Sequence, residues 1–210
     1  MKNQSRFTPQ SPNDLIAICE SHPLAWIIPI GGTKSFGTLV PLRVDKLNSE
    51  NLIVSLLGHL PRRSQLVEHF QKESSALVLF LGPHGYISPS WMRDRTQAPS
   101  WNFATIQMHV TIEIIEDKQF LDHVLRDLVD AVEAGRPEAW TVDDMGSRYD
   151  MLAERIIGFR ATVISQESKF KLGQDERRDV FDDILKGLKL TGNDELVATM
   201  LCFADDKPSN

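Results

Sequence analysis

Residues 106–115 read Ile-Gln-Met-His-Val-Thr-Ile-Glu-Ile-Ile, the most regular pattern in the chain. Apolar side chains occupy every second position from Ile106 to Ile114, and only Ile115 interrupts the polar positions between them. A period of two is typical of a β-strand with one face on a core and the other on water or a partner. The sequence therefore predicts a long, half-buried strand here.

Further strand-like runs surround this one in a hairpin-like order. Each is a short apolar segment bounded by turn residues, and the runs span 24–30, 36–44, 52–57, 76–81 and 156–164. Gly31-Gly32 is a hairpin signal between the first two runs, and Gly58 is expected to end the third. Strands do not alternate regularly with helices, so we expect an antiparallel barrel or strongly curved sheet with helical decorations.

Helical periodicity appears mainly late in the chain. Leucines and a valine recur at three- or four-residue intervals in 118–134, which predicts a helix inserted after the long strand. Two more amphipathic helices are predicted at about 176–190 and 194–203, and a short one after Ser11-Pro12. We expect residues 1–210 to form a single mainly β domain.

Composition and charge exclude several classes of protein. The formal net charge is -6, from 23 basic and 29 acidic side chains, which argues against a large nucleic-acid surface. The apolar runs fall short of the roughly 20 residues that a membrane-spanning helix needs, and residues 1–6 are not followed by an apolar leader segment. Cys19 and Cys202 are expected to be buried thiols. We therefore expect a cytoplasmic protein without membrane contact.

Two arginines follow a predicted strand and open a predicted helix in 58–65, Gly-His-Leu-Pro-Arg-Arg-Ser-Gln. Basic side chains are unfavourable at the positive end of a helix, whereas an anion there would bind both the guanidinium groups and the free backbone N–H groups. Arg62 and Arg63 thus indicate a phosphate site. The alternative is two solvated arginines on a polar helix face.

A long aromatic loop is predicted over 82–103, beginning Gly-Pro-His-Gly-Tyr-Ile-Ser-Pro-Ser-Trp and ending Pro-Ser-Trp-Asn-Phe. Its prolines could hold the aromatic rings in fixed positions as a wall for a planar ligand. Alternatively, Trp91 and Trp101 fold the loop onto the core. The histidines and carboxylates match no metal-ligand spacing and no hydrolase triad, so we expect no metal and assign no catalytic residue.

The loop is similar to the signature of the PaiB-type FMN-binding negative transcriptional regulators. Members of that family read G-P-H-A-Y-I-S-P-S-W and then V-P-T-W-N-Y. The segment 58–62 resembles their G-H-L-A-R, and residues 169–174, Lys-Phe-Lys-Leu-Gly-Gln, resemble their late K-x-K-L-S-Q motif. Pro61, Arg63 and Ser64 depart from the family pattern.

This resemblance implies a six-stranded antiparallel split barrel related to pyridoxamine phosphate oxidase, a homodimer, and FMN in a cleft at the dimer interface. It places the phosphate at the arginine turn, the flavin ring beside the strand 38–41, and Lys171 and Gln174 at the closing side. The implied cofactor-binding residues are Thr38, Leu39, Val40, Pro41, His59, Leu60, Arg62, Arg63, Ser64, Trp101, Asn102, Lys171 and Gln174.

Three functions follow from these observations as hypotheses. The first is a flavin-dependent oxidoreductase or flavin-linked sensor. The second is a transcriptional regulator acting through DNA or a protein partner, although the acidic C-terminal helices make direct DNA binding the weaker expectation. The third is a structural homodimer that has lost its flavin. The substrate and the electron donor are not assigned.

Overall fold

The structure, a computed structural model, describes residues 6–31 and 36–204. Within these residues six antiparallel strands close into a barrel in the order β1-β2-β3-β6-β5-β4. The strands are β1 Leu24–Pro29, β2 Thr38–Leu47, β3 Ile53–Pro61, β4 Ser75–Ile87, β5 Ser100–Ile115 and β6 Ile156–Lys171. The predicted fold, an antiparallel barrel with helical decorations, is confirmed.

Helices precede, connect and follow the strands. They are α1 Pro12–Ser21, α2 Gln65–Phe70, α3 Lys118–Glu133, α4 Arg148–Ala153, α5 Arg178–Leu190 and α6 Asp194–Cys202, with one-turn 3-10 helices at Pro89–Trp91 and Val142–Met145. The α3 helix begins where the carboxylate of Asp117 accepts a hydrogen bond from the backbone N–H of Phe120 at 2.7 Å. Across the described ranges, no helix is both long and apolar enough to cross a membrane.

The described residues form two compact units that share three strands. One unit lies within Met1–Ile18, Leu81–Ile106 and Ser168–Asn210, and the other within Cys19–Phe80 and Gln107–Glu167. We call them the terminal unit and the central unit. Strands β4, β5 and β6 each continue from one unit into the other.

Alternating burial along β5 confirms the strand predicted from its sequence. Ile106, Met108 and Val110 are buried in the core, whereas Gln107 and His109 between them are exposed. The period of two therefore reflects one face packed in the barrel interior and one face outside it.

Three strands extend further than predicted, and in two of them a glycine inside the strand makes room for a neighbour. A Cβ atom at Gly58 would lie 2.6 Å from a methyl group of Leu42 and 2.7 Å from the ring of Phe159, so β3 continues through this glycine to Pro61. Likewise β4 runs through Gly82 to Ile87, and the predicted loop begins only after that residue. Strand β6 runs on past the predicted end at 164 to Lys171.

The predicted hairpin turn at Gly31-Gly32 lies partly outside the described residues.

The two cysteines are free thiols, and they differ in exposure. Cys19 is buried, which raises its pKa to about 12. Cys202 is exposed at the end of α6, so the expected burial was wrong for that residue.

Candidate functional site

Backbone pairing and a helix cap fix the arginine turn in the central unit. Pro61 ends β3 opposite Ile156 of β6, and the N–H of Arg62 donates to the carbonyl of Arg155 at 2.9 Å. Ser64 then caps α2, since its hydroxyl oxygen accepts from the N–H of Val67 at 3.4 Å. The hydroxyl of Ser64 thus has a structural role at the position where the sequence suggested a ligand contact.

The two predicted arginines have different surroundings. Arg62 donates to the carbonyl of Glu154 at 3.2 Å and forms an ion pair with Glu116 at 3.3 Å. Its side chain is 40% exposed and that of Glu116 is 67% exposed, so the pair is screened by solvent. Arg63 is exposed, and its guanidinium group makes no hydrogen bond or ion pair with any described residue. Arg63 is therefore the more available of the two for an anion.

A third arginine completes this part of the site. A cavity of about 550 Å³ is lined by Arg62, Arg63 and Arg155, together with Glu154 and other residues of the turn and of α4. Arg155 is exposed, and its guanidinium group is also without a hydrogen bond or ion pair among the described residues. We call this space the arginine cavity. Its three cations against one carboxylate favour an anionic ligand.

Sequence reasoning missed Arg155 because it lies far from the turn along the chain. The antiparallel register of β3 and β6 places Ile156 opposite Pro61 and so brings Arg155 beside Arg62. The only available signal was a basic residue directly before the predicted strand at 156–164. Interpreting it would have required the pairing of two strands about a hundred residues apart.

The ladder between β2 and β3 ends at the predicted ring-binding strand. It runs from Leu47 opposite Ile53 to Leu42 opposite Gly58. Beyond it, β2 continues over Thr38–Pro41 paired with β1, and β3 continues over His59–Pro61 paired with β6. Pro41 has no N–H group and cannot donate to an extension of the ladder. The two predicted segments thus lie past the last pair of the ladder, and we call this place the β2–β3 opening.

Burial separates the side chains at the β2–β3 opening. Val40 and Leu60 are core residues at 3% and 1% exposure, so only their backbones are available to a ligand. Leu39 is exposed, and Thr38 is half-buried. His59 is half-buried, and its Nδ1 atom is buried without a hydrogen-bond partner in the described chain. Burial lowers the pKa of His59, which favours a neutral imidazole.

The remaining predicted contacts lie in the terminal unit. Trp101 is 55% exposed and packs edge-on against the exposed ring of Tyr86, with 5.9 Å between the ring centroids. The ammonium group of Lys171 donates a hydrogen bond to the hydroxyl of Ser100. This part of the unit offers an accessible aromatic surface and a cation, as a ligand wall would require.

Two predicted contacts in the terminal unit have structural partners instead. Asn102 is 3% exposed, and its amide lies 3.5 Å from the sulfur of Met200. The side chain of Gln174 accepts from the N–H of Leu172 at 2.7 Å and donates to the carbonyl of Phe170 at 2.6 Å. Gln174 therefore stabilises the turn after β6.

The two tryptophans of the predicted aromatic loop, Trp91 and Trp101, have different surroundings. Trp91 packs against α5 at Gly187, where a Cβ atom would lie 2.3 Å from the indole ring. Asp183 of α5 accepts hydrogen bonds from the backbone N–H and the side chain of Arg93, at 2.9 Å and 3.1 Å. Trp91 thus matches the core-packing alternative, whereas Trp101 is exposed and does not fold onto the core.

Sequence comparisons relate the chain to known proteins. A family model with the description "Putative FMN-binding domain" matches residues 1–165 of the chain. An uncharacterized protein of Saccharomyces cerevisiae is 35% identical over 99 residues, which cover 45% of this chain and 59% of the yeast protein. The Bacillus subtilis protein named protease synthase and sporulation protein PAI 2 is 26% identical over 157 residues, covering 74% of this chain and 73% of that protein.

Among solved structures, the chain is similar to the FAD and heme binding protein from Mycobacterium smegmatis. The TM-score is 0.58 at 16% sequence identity, and the likeness covers 85% of this chain and 79% of that one. At this level of identity the comparison supports the barrel fold.

Proposed function

We propose a flavin-dependent redox function for this chain. The chain belongs to the FMN-binding domain family, and its cofactor is therefore FMN or a related flavin. The observation that supports the proposal most is the arginine cavity, where Arg63 and Arg155 are exposed and make no ion pair within the described residues. A bound flavin supplies hydride and one-electron chemistry, and the protein supplies binding and orientation.

The cavity suits the phosphate group of FMN. Two free guanidinium groups can each donate to phosphate oxygens, and such charge-assisted bonds are the strong ones. Arg62 contributes less, because Glu116 and the carbonyl of Glu154 already accept from it. Glu154 also lines the cavity and offsets one of the three positive charges. We therefore assign the phosphate mainly to Arg63 and Arg155.

The β2–β3 opening suits the polar edge of the flavin ring. The backbone of Thr38–Pro41 lies beyond the end of the ladder, and the buried Nδ1 atom of His59 is a polar atom without a protein partner in the described ranges. A neutral imidazole can donate or accept at this atom, according to its tautomer.

Flavin titrations of three single variants test the phosphate assignment. Losing a charge-assisted hydrogen bond costs about 1.5–3 kcal/mol, so Arg63→Ala and Arg155→Ala should each weaken FMN binding by roughly ten- to a hundredfold. Arg95→Ala is the matched control, since Arg95 is also exposed and unpaired but lies in the terminal unit. Quenching of flavin fluorescence reports the affinity. Equal affinities for all four proteins would refute the assignment.

We also propose that the chain is a homodimer. Leu24, Trp26 and Leu39 lie on the outer face of β1 and β2 and are 45–55% exposed. The register sets Trp26 directly opposite Leu39 on one side and Leu79 of β4 on the other. An apolar face across three neighbouring strands favours association, and a second copy offers the same face.

Sedimentation of the native protein and of Trp26→Glu tests the dimer. The native protein should sediment as a dimer, and the variant should shift towards a monomer because a carboxylate would be buried in the interface without a partner. Arg95→Ala again serves as a control that leaves the mass unchanged. A native monomer would contradict the proposal.

An oxidoreductase or flavin sensor remains our leading proposal over direct DNA binding. The basic residues of the C-terminal helices are partly neutralised, as Arg178 pairs with Asp182 at 3.2 Å. Phosphate neutralisation needs free, clustered cations. Reduction of the flavin-loaded protein by NADH or NADPH, followed by absorbance, tests the redox role. A salt-dependent mobility shift on DNA without flavin reduction would favour the regulator.

A further inference from the structure

A second cavity in the central unit is distinct in its chemistry from the arginine cavity. It has a volume of about 220 Å³ and is bordered by the end of β5, the start of α3, the α4 helix and the start of β6. Its apolar wall includes Leu121 and Ile157, which are 6% and 1% exposed, and Gly158 adds backbone without a side chain. A dry cavity of about 150 Å³ can hold benzene, so this one can hold a single ring with a short chain.

The rim of this cavity is acidic. Four carboxylates and two cations line it, for a formal charge of -2. Glu116 pairs with Arg62, and the carboxylate of Asp117 caps α3, where it offsets the partial positive charge of the helix end. Lys118 is exposed on the same rim.

The remaining two carboxylates are unpaired. Asp150 lies on α4 and Glu154 is the residue that caps its C-terminal end, one turn later, so the two project from the same side of the helix. Neither side chain makes a hydrogen bond or ion pair with a described residue. Like charges at this spacing repel each other, and a cation between them would relieve the repulsion.

We propose that this cavity binds a small organic cation, a protonated amine carried on one apolar ring or a body of similar size. The ring contacts the wall formed by Leu121 and Ile157, and the ammonium group lies at Asp150 and Glu154. The proposal goes beyond the flavin site, and a test on flavin-free protein is independent of whether flavin binds.

Calorimetric titration with 2-phenylethylamine tests the proposal, with 2-phenylethanol and phenylacetate as neutral and anionic probes. The amine should bind saturably, the alcohol more weakly and the acid not at all. The double variant Asp150→Asn/Glu154→Gln should weaken amine binding by about fivefold or more, since two partly solvated ion pairs are lost. Asp175→Asn, which removes an exposed charge in the terminal unit, should leave it unchanged.

A filling variant separates the cavity from surface charge. Ala153 lines the cavity, and Ala153→Phe should abolish amine binding while both carboxylates remain. The proposal is overturned if the amine does not bind, if the alcohol binds equally well, or if the charge variant binds the amine as the native protein does. Because the carboxylate variants change only rim residues, they should fold whatever the outcome for Ala153→Phe.

Glu154→Gln is expected to change the affinities for the amine and for FMN in opposite directions. Glu154 lines both cavities, so its neutralisation should weaken amine binding and strengthen FMN binding beside the arginines. Asp150→Asn should affect the amine more than FMN, since Asp150 lines only the acidic cavity of the two. Weaker amine binding with unchanged FMN binding would support this cavity and count against the phosphate assignment. Stronger FMN binding with unchanged amine binding would support the phosphate assignment and count against this cavity.

Discussion

Replacing Gly187 with alanine tests the packing that holds the aromatic signature against α5. In an open helix this change would stabilise the protein by about 1 kcal/mol, because alanine has the higher helix propensity. Here the new Cβ atom would lie 2.3 Å from two atoms of the Trp91 indole. That separation is more than 1 Å shorter than the roughly 3.5 Å of an ordinary carbon contact.

The expected net effect follows from these two opposing contributions. Overpacking costs about 1–3 kcal/mol, and the short contact with a rigid ring puts Gly187→Ala near the upper limit. After the gain in helix propensity, we expect a loss of about 2 kcal/mol in the free energy of unfolding.

Urea unfolding followed by circular dichroism measures this loss, and a Trp91→Leu background provides the control. Without the indole, Gly187→Ala should be neutral or stabilising, so the two changes should couple by about 2–3 kcal/mol. Native or higher stability of Gly187→Ala in the Trp91 protein would refute the proposed packing. An equal loss in both backgrounds would refute the role of the indole.

Three further predictions concern titrating groups. Hydrogen bonds from Arg93 lower the pKa of Asp183, so this carboxylate stabilises the fold fully above its ordinary pKa of about 3.9 and loses the effect at lower pH. Asp183→Asn should therefore lower the urea midpoint at pH 7, and the difference in midpoint between variant and native protein should vanish in acid. Burial lowers the pKa of His59, so its imidazole resonances should titrate below the usual value of about 6.5, and a normal midpoint would contradict its burial. Burial raises the pKa of Tyr149 to about 12, and its 2.7 Å hydrogen bond to Asp122 adds to the effect. The difference in phenolate absorbance between the native protein and Tyr149→Phe should therefore appear only near that pH. A midpoint near 10 would contradict the contact.

Local patterns in the sequence were enough to predict the fold class and several of its elements. The alternation in 106–115 predicted β5, and the periodicity in 118–134 predicted α3, because each pattern depends only on which face of its own element is buried. The PaiB-type resemblance is confirmed by the family match and by the Bacillus subtilis relative. Both periodic patterns can be recognised from residues that are neighbours in the sequence.

The glycines were misinterpreted because their role depends on distant neighbours. Gly58 reads as a strand end, yet the space its missing side chain leaves is filled by Leu42 and Phe159 from two adjacent strands. Gly82 in β4 is similar, with Ile18 of α1 at 2.7 Å from the position of a Cβ atom. A local breaker signal and a site of close packing look the same in a single sequence.

The candidate site was only partly predictable for the same reason. The arginine turn was visible because its residues are consecutive. Arg155 joined it only through the pairing of β3 with β6, and the ion pair of Arg62 with Glu116 links residues that are 54 positions apart. Whether an arginine is free or paired depends on the tertiary fold, which neither charge counts nor spacing can supply.

A comparison of FMN with riboflavin tests the phosphate site most directly, because the two ligands differ only in the phosphate group. The native protein should bind FMN at least about a hundredfold more tightly than riboflavin, given two charge-assisted contacts. In Arg63→Ala/Arg155→Ala the two affinities should become nearly equal, with riboflavin binding unchanged. A native protein that binds both flavins alike, or a double variant that keeps the full preference for FMN, would contradict the account.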